Sequence, residues 1–275
     1  MPAARPAARL RPLIDAYIGY RLTGPAGVHR GLPARHLTCI VSIGAPIHVV
    51  GQTDPRQAPG RYEFALSGLQ LSPAFIAHDG HQEGVAIELT PLAARALLGV
   101  PAVAVWNTSI EARDILGPAA TELWERLNET PGWAARFRVC DEVLGRLVLE
   151  ARDVNAQVRQ AWRRLETSGG TASVAAVAAD VGWSRRHLAD RFTGEFGLSP
   201  KQAARVMRFE RARRLLARPD RPALADVAAT CGYYDQPHLN RDFVDLAGCP
   251  PGQWMAEELP SVQDLDRPES PVSAA

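Results

Sequence analysis

Between residues 36 and 89 the apolar positions come in short β-branched or aromatic-containing runs, "LTCIVSI", "IHVV", "YEFAL", "AFIA" and "GVAIEL", divided by Gly, Pro and Asp clusters. Such runs predict strands, and their close spacing predicts an antiparallel sandwich or small barrel. The polar stretch "HDGHQEG" at 78–84 predicts a hairpin loop between two of them. From Pro91 the period lengthens. "PLAARALLGV" opens with Pro in a first-turn position and closes on Gly99, the start and stop signals of a helix. "GPAATELWERLNE", "WAARFRVCDEVLGRLVLEAR" and "VNAQVRQAWRRLE" carry apolar residues at i, i+3 and i+4, the mark of amphipathic helices. "TSGG" at 167–170 then reads as a linker.

Residues 171–256 are helical in pattern and repeat themselves. Val174, Val177 and Gly182 recur fifty positions later as Leu224, Val227 and Gly232. His187, Leu188, Phe192, Gly197 and Pro200 recur fifty-one positions later as His238, Leu239, Phe243, Gly248 and Pro251. One extra residue in the second turn accounts for the change of offset. A repeat of this length means one supersecondary unit used twice. Each copy reads as a short Ala-rich helix, a Gly turn, and a second helix with Leu and Phe at i, i+4, which is a helix-turn-helix pattern. Gly182 and Gly232 end the first helix where a left-handed backbone costs little. Between the copies, "SPKQAARVMRFERARRLLAR" predicts a helix capped by Ser199, with Pro200 in its first turn and Pro219 closing it. About 18 residues at 1.5 Å each make a rod of roughly 27 Å, against the roughly 34 Å between successive major-groove faces of DNA.

Charge sharpens this picture. The 275 residues carry a formal net charge of only +1, so the average says nothing about a polyanionic partner. Yet residues 184–218 hold ten Lys/Arg against three Asp/Glu, a surplus of seven, while 219–256 hold two against five. A local basic field matters more than the total. It coincides with the second helix of the first copy and with the connecting rod. On the first copy Ser184 is the N-cap and Arg185, Arg186, Ala189, Asp190 and Thr193 remain outside once Leu188 and Phe192 face inward. On the second copy Gln236, His238, Asn240 and Arg241 are left outside. Arg pairs with guanine, and Gln or Asn with adenine, in the major groove. Lys201 and Arg205 share a face of the rod with Arg208 and Arg211, facing phosphate in this reading.

The landmarks "VAADVGWSRRHLADRF", "GLSP", "RFERARRLL" and "VAATCGYYDQPHLNRDFVDLAGCPPGQW" resemble the DNA-binding domain of the AraC/XylS family of bacterial transcription regulators. That resemblance covers about a third of the chain. It implies two helix-turn-helix units joined by one long helix, binding double-stranded promoter DNA, with RNA polymerase as a further partner. The remainder resembles a sensor half in outline. The fold class expected is therefore α+β, with an N-terminal β-rich, cupin-like barrel or sandwich and following helices, then a C-terminal all-α tandem helix-turn-helix domain. The expected division is a sensor domain at 1–110, a helical segment for sensing or dimerisation at 111–166, the linker at 167–170, the DNA-binding domain at 171–256 and a disordered tail at 257–275. A small-molecule effector of unknown identity is implied. A homodimer is compatible but not required, since one chain already holds two reading heads. Two departures stand out: Pro250 replaces the capping Ser199 of the first copy, and Asp235, Asp242 and Asp245 would oppose phosphate in the second. The first unit and the rod are expected to supply most of the affinity.

Other chemistry is sparse. His78, Asp79, His81 and Glu83 form a metal-like cluster, but a regular strand would put 78 opposite the other three, so no metal and no cofactor is expected. Trp106, Trp124 and Trp133 read as core. There is no Gly-rich phosphate loop, no Gly-x-Ser-x-Gly and no nucleophile–base pair, so an enzyme is not expected. Cys39, Cys140, Cys231 and Cys249 are scattered, which fits a reducing cytoplasm. The N-terminus lacks the apolar segment of a secretory signal, and no apolar run is long enough to span a bilayer.

Overall fold

The structure is a computed structural model and describes residues 2–148 and 154–262. Ten strands form its N-terminal part: β1 (Ala3–Ala4), β2 (Ile14–Thr23), β3 (Gly27–Gly31), β4 (Leu37–Ser42), β5 (Ile47–Gly51), β6 (Gly60–Tyr62), β7 (Phe64–Ser67), β8 (Ala74–His78), β9 (His81–Leu89) and β10 (Ser109–Glu111). They make two antiparallel sheets, one ordered β1-β2-β9-β4-β7-β10 and the other β3-β8-β5-β6. The expected sandwich is there. The expected hairpin is not: β8 belongs to the smaller sheet and β9 to the larger, so Asp79 and Gly80 carry the chain across from one sheet to the other. The helix expected from Pro91 shrinks to one wide turn, Ala94–Leu98, ending at Gly99.

The larger sheet has two unlike faces. Leu37, Cys39, Val41, Val85, Ile87 and Leu89 are buried on the face covered by helices α2 (Pro118–Glu129) and α3 (Trp133–Leu147), which follow a short α1 (Arg113–Leu116). The alternate residues, among them Ile18, Thr38, Ile40, Ala86 and Glu88, turn toward the smaller sheet and stay half-buried. The core between the sheets is correspondingly small: Ile47, Val49, Tyr62, Ala65, Ala74 and Ile76.

Seven helices follow: α4 (Ala156–Thr167), α5 (Val174–Asp180), α6 (Arg185–Phe196), α7 (Pro200–Leu216), α8 (Leu224–Thr230), α9 (Gln236–Ala247) and α10 (Pro251–Val262). Two placements differ from expectation. Helix α4, grouped with the sensor half, packs into the first helix-turn-helix unit, where Trp162 meets Phe192 and Phe196 at ring distances of 5.8 and 4.6 Å. "TSGG" is accordingly a tight turn rather than a spacer: a Cβ on Gly170 would lie 2.1 Å from the Ala204 carbonyl oxygen. Of the tail, residues 263–275 lie outside the described residues, whereas 257–262 complete α10.

The two halves share a surface. Arg35, in the β3–β4 loop, reaches Glu210 of α7 at 2.8 Å, Glu166 of α4 at 3.1 Å and Asp15 at 3.2 Å. Arg30 pairs with Glu257 and Glu258 of α10, and Arg95 grips Glu195 of α6 through two hydrogen bonds of 2.8 Å. One hydrophobic cluster runs from Leu10 through the N-terminal half into the first unit as far as Met207. The second unit has its own cluster, from Val206 to Trp254.

Candidate nucleic-acid interface

The first unit is built by local rules. Ser173 caps α5, whose Val177 and Ala178 are buried. Gly182 then takes φ +72°, a left-handed turn that swings α6 away. Ser184 caps α6 by accepting the His187 N–H at 3.2 Å. Leu188, Phe192 and Phe196 are fully buried. Ser184, Arg185, Arg186, Asp190 and Thr193 are exposed and Ala189 is half-buried, so the leading turn of α6 is open.

The second unit repeats the construction. Val227 and Ala228 of α8 are buried, Gly232 has φ +78°, and Leu239 and Phe243 of α9 are fully buried. Arg241 is exposed, while Gln236, His238 and Asn240 are half-buried. The cap is Asp235, whose carboxylate accepts the His238 N–H at 2.8 Å. That employs a residue expected to repel phosphate as an anion at a helix N-terminus, a favourable place for it. The other two acids are also engaged. Arg205 donates to Asp242 at 2.6 Å and reaches Asp245 with its other arm, so one cation stands between two carboxylates. The second unit is thus less repulsive to phosphate than its count of acids suggests.

The same contacts change the rod. Helix α7 has 17 residues, about 26 Å, and a full capping box at Ser199 and Gln202. Lys201 is exposed as expected. Arg205 is drawn to the second unit, and Arg208 donates to the Gly170 carbonyl at 2.8 Å while lying over the Tyr233 ring at 5.6 Å. The rod is wedged between two cores; of the expected phosphate face, Lys201 stays outside, Arg211 is half-buried, and Arg205 and Arg208 find partners within the protein and brace the fold.

Tyr233 is buried, whereas Tyr234, its neighbour in the turn, is 92% exposed. The metal-like cluster does not gather. His78 faces His29, with ring centres 5.7 Å apart, and Glu83 is held by Arg21 and Arg136 at 2.8 and 2.7 Å. Asp15, His36 and Glu88 do converge, but Arg35 already donates to Asp15. Burial, with the neighbouring His78, pushes His29 down to about 4. The four cysteines are buried free thiols. No helix among the described residues is long and apolar enough to cross a membrane.

Residues 177–257 match the family model of a helix-turn-helix domain. No curated relative matches the chain in sequence. Among solved structures, ToxT from Vibrio cholerae O395 is similar over 87% of this chain and 97% of its own, at 11% identity and a TM-score of 0.51. Unsaturated fatty acid bound wild-type ToxT from Vibrio cholerae strain SCE256 is similar over 87% and 94%, at 10% identity and a TM-score of 0.50. The DNA-binding domain of AdpA, in complex with a target DNA, aligns with 38% of this chain and 97% of its own, at 25% identity and a TM-score of 0.34. The fold, a β-rich N-terminal part followed by a helical C-terminal domain, is that of the ToxT structures.

Proposed function

We propose that this chain, whose C-terminal region is an AraC-type helix-turn-helix DNA-binding domain, is a sequence-specific transcription regulator that lays α6 and α9 into major grooves of promoter DNA. The observation that carries the reading is the paired reader: two capped helices, each preceded by a left-handed Gly turn and each with its Leu and Phe buried, the leading turn of the first exposed and that of the second half-buried. Arg185 and Arg186 are the base- or phosphate-contacting candidates of the first unit, with Ser184, Ala189, Asp190 and Thr193 beside them. Gln236, His238, Asn240 and Arg241 are those of the second, and Lys201 lies near phosphate.

The N-terminal sandwich serves as the sensor in this reading. Its support is the larger sheet's inner face, where Ile18, Thr38, Ile40, Ala86 and Glu88 stay half-buried. A small-molecule effector is proposed to bind at that face; a fatty acid in one similar structure is consistent with such a use of the fold. The regulator works in the cytoplasm, beside RNA polymerase, as one chain or a homodimer.

The test is selection of bound sequences from random duplex DNA by the full chain. A defined motif is expected, with affinity falling steeply as salt rises because Lys and Arg displace counterions. Replacing Arg186 with Ala should cost about 1–3 kcal/mol and relax preference at one position if it reads a base. Failure to enrich any motif would sink the proposal.

A further inference from the structure

The extra residue in the second unit has an identity. Up to the aromatic after the turn glycine the copies match at an offset of fifty, Trp183 to Tyr233; from the cap onward they match at fifty-one, Ser184 to Asp235. Both flanks are structurally equivalent. Trp183 meets His187 edge to face at 4.6 Å and 88°, and Tyr233 meets His238 edge to face at 5.2 Å and 90°. Each cap accepts the N–H of that same histidine. The insertion is therefore Tyr234, and the unit accommodates it by looping it out.

What is looped out is a tyrosine at 92% exposure; the other large exposed hydrophobics among the described residues reach 57% at most. Its backbone is held, since the Tyr234 N–H points to His238 Nδ1 at 3.4 Å, while the phenol has no partner within the described residues. A tyrosine kept in water on a fixed base offers an apolar ring and a polar hydroxyl together, the combination that suits a contact surface outside the protein. It stands one residue ahead of the cap and two ahead of Gln236, at the leading end of a reader helix, where contacts to phosphate set register and orientation. The acids nearby are occupied, Asp235 by the cap and Asp242 and Asp245 by Arg205, which leaves the side open to a polyanion.

We propose that Tyr234 contacts the DNA backbone beside the second reader helix, its hydroxyl donating to a phosphate and its ring lying on the adjoining sugar. The inference rests on the regulator reading and adds a contact that the first unit has no counterpart for. It makes the two heads unequal and gives the chain a direction on its site.

The experiment uses the full chain, the DNA motif it selects, and the variants Tyr234→Phe, Tyr234→Ala and Arg186→Ala. Thermal melting of the Tyr234 variants should match the parent, since the side chain packs on nothing. Tyr234→Phe should weaken binding by about tenfold, the scale of a hydrogen bond to a charged acceptor. It should also abolish one phosphate in an ethylation-interference footprint at the second unit's end of the site; Tyr234→Ala should weaken binding further. Parental affinity and footprint in both Tyr234 variants would overturn the assignment, and so would intact DNA binding with lost transcription, which would give the residue to RNA polymerase. If the parent selects no motif and Arg186→Ala changes nothing, the regulator reading itself has failed.

Discussion

Two glycines with nearly the same backbone angle are predicted to answer differently to the same substitution. Gly182, at φ +72°, has nothing within 4 Å of the Cβ it lacks; Gly170, at φ +79°, would press that atom to 2.1 Å from the Ala204 carbonyl oxygen. Gly182→Ala should therefore cost only the left-handed penalty of about 1–2 kcal/mol. Gly170→Ala adds overpacking of about 1–3 kcal/mol and should cost about 2–5 kcal/mol in all. Urea midpoints of the two variants check this; equal losses would mean that the turn at 170 has room to move. Single residues were legible where their signal is local. Ser184 and Ser199 announce themselves as caps, and both cap. The pairing of Arg205 with Asp242 joins residues 37 positions apart, and no local pattern encodes it.

Among the elements, the β3–β4 loop carries the contact with most at stake. Glu210 is deeply buried on α7; burial disfavours its carboxylate, and Arg35, followed by His36, Arg214 and Arg213, overcomes this and holds its pKa below the ordinary carboxylate range. A depressed carboxylate adds stability above its unfolded pKa and loses it as pH falls through the folded value. Glu166 and Glu258 work the other way: burial outweighs the arginines beside them and raises both, so their protonation on acidification favours the folded state. Glu210→Gln is expected to cost about 1–3 kcal/mol at neutral pH, because Arg35 loses its most buried partner and keeps Glu166 and Asp15. It should also flatten the acid limb below about pH 4.5, where the unfolded chain's glutamate begins to bind the proton that folded Glu210 still resists. Denaturant titrations across pH read both effects; an acid limb as steep as the parent's would assign it to other carboxylates. Strand β2 shows how an element escapes its pattern. Strand β2 buries Ala16 toward one sheet and Tyr17 toward the helices, so the alternation that betrays a half-buried strand is lost. Helix α4 was recognised as a helix, but its periodicity shows only which face is apolar and not which half of the chain receives it.

At the scale of the whole molecule, the first unit is fused to the N-terminal half through one core and the second unit stands on another, with α7 contributing to both. Phe243→Ala, a loss of about 3–5 kcal/mol in a core of that kind, should speed amide exchange in α8, α9 and α10 while α5 and α6 keep their protection. Uniform acceleration would show a single cooperative unit. The tandem repeat, and with it the reader, was legible because it is written twice in the chain; the docking between halves was not, since it depends on Arg30, Arg35 and Arg95 meeting carboxylates a hundred or more residues away. The seating of Trp162 against Phe192 and Phe196 has a practical consequence for anyone dissecting the protein. A fragment cut at residue 171, the obvious scissor point between the glycines and the repeat, leaves its first half missing an indole's worth of filling. It should bind the dye ANS and melt broadly, whereas one begun ahead of Asn155 brings its own plug and should melt sharply.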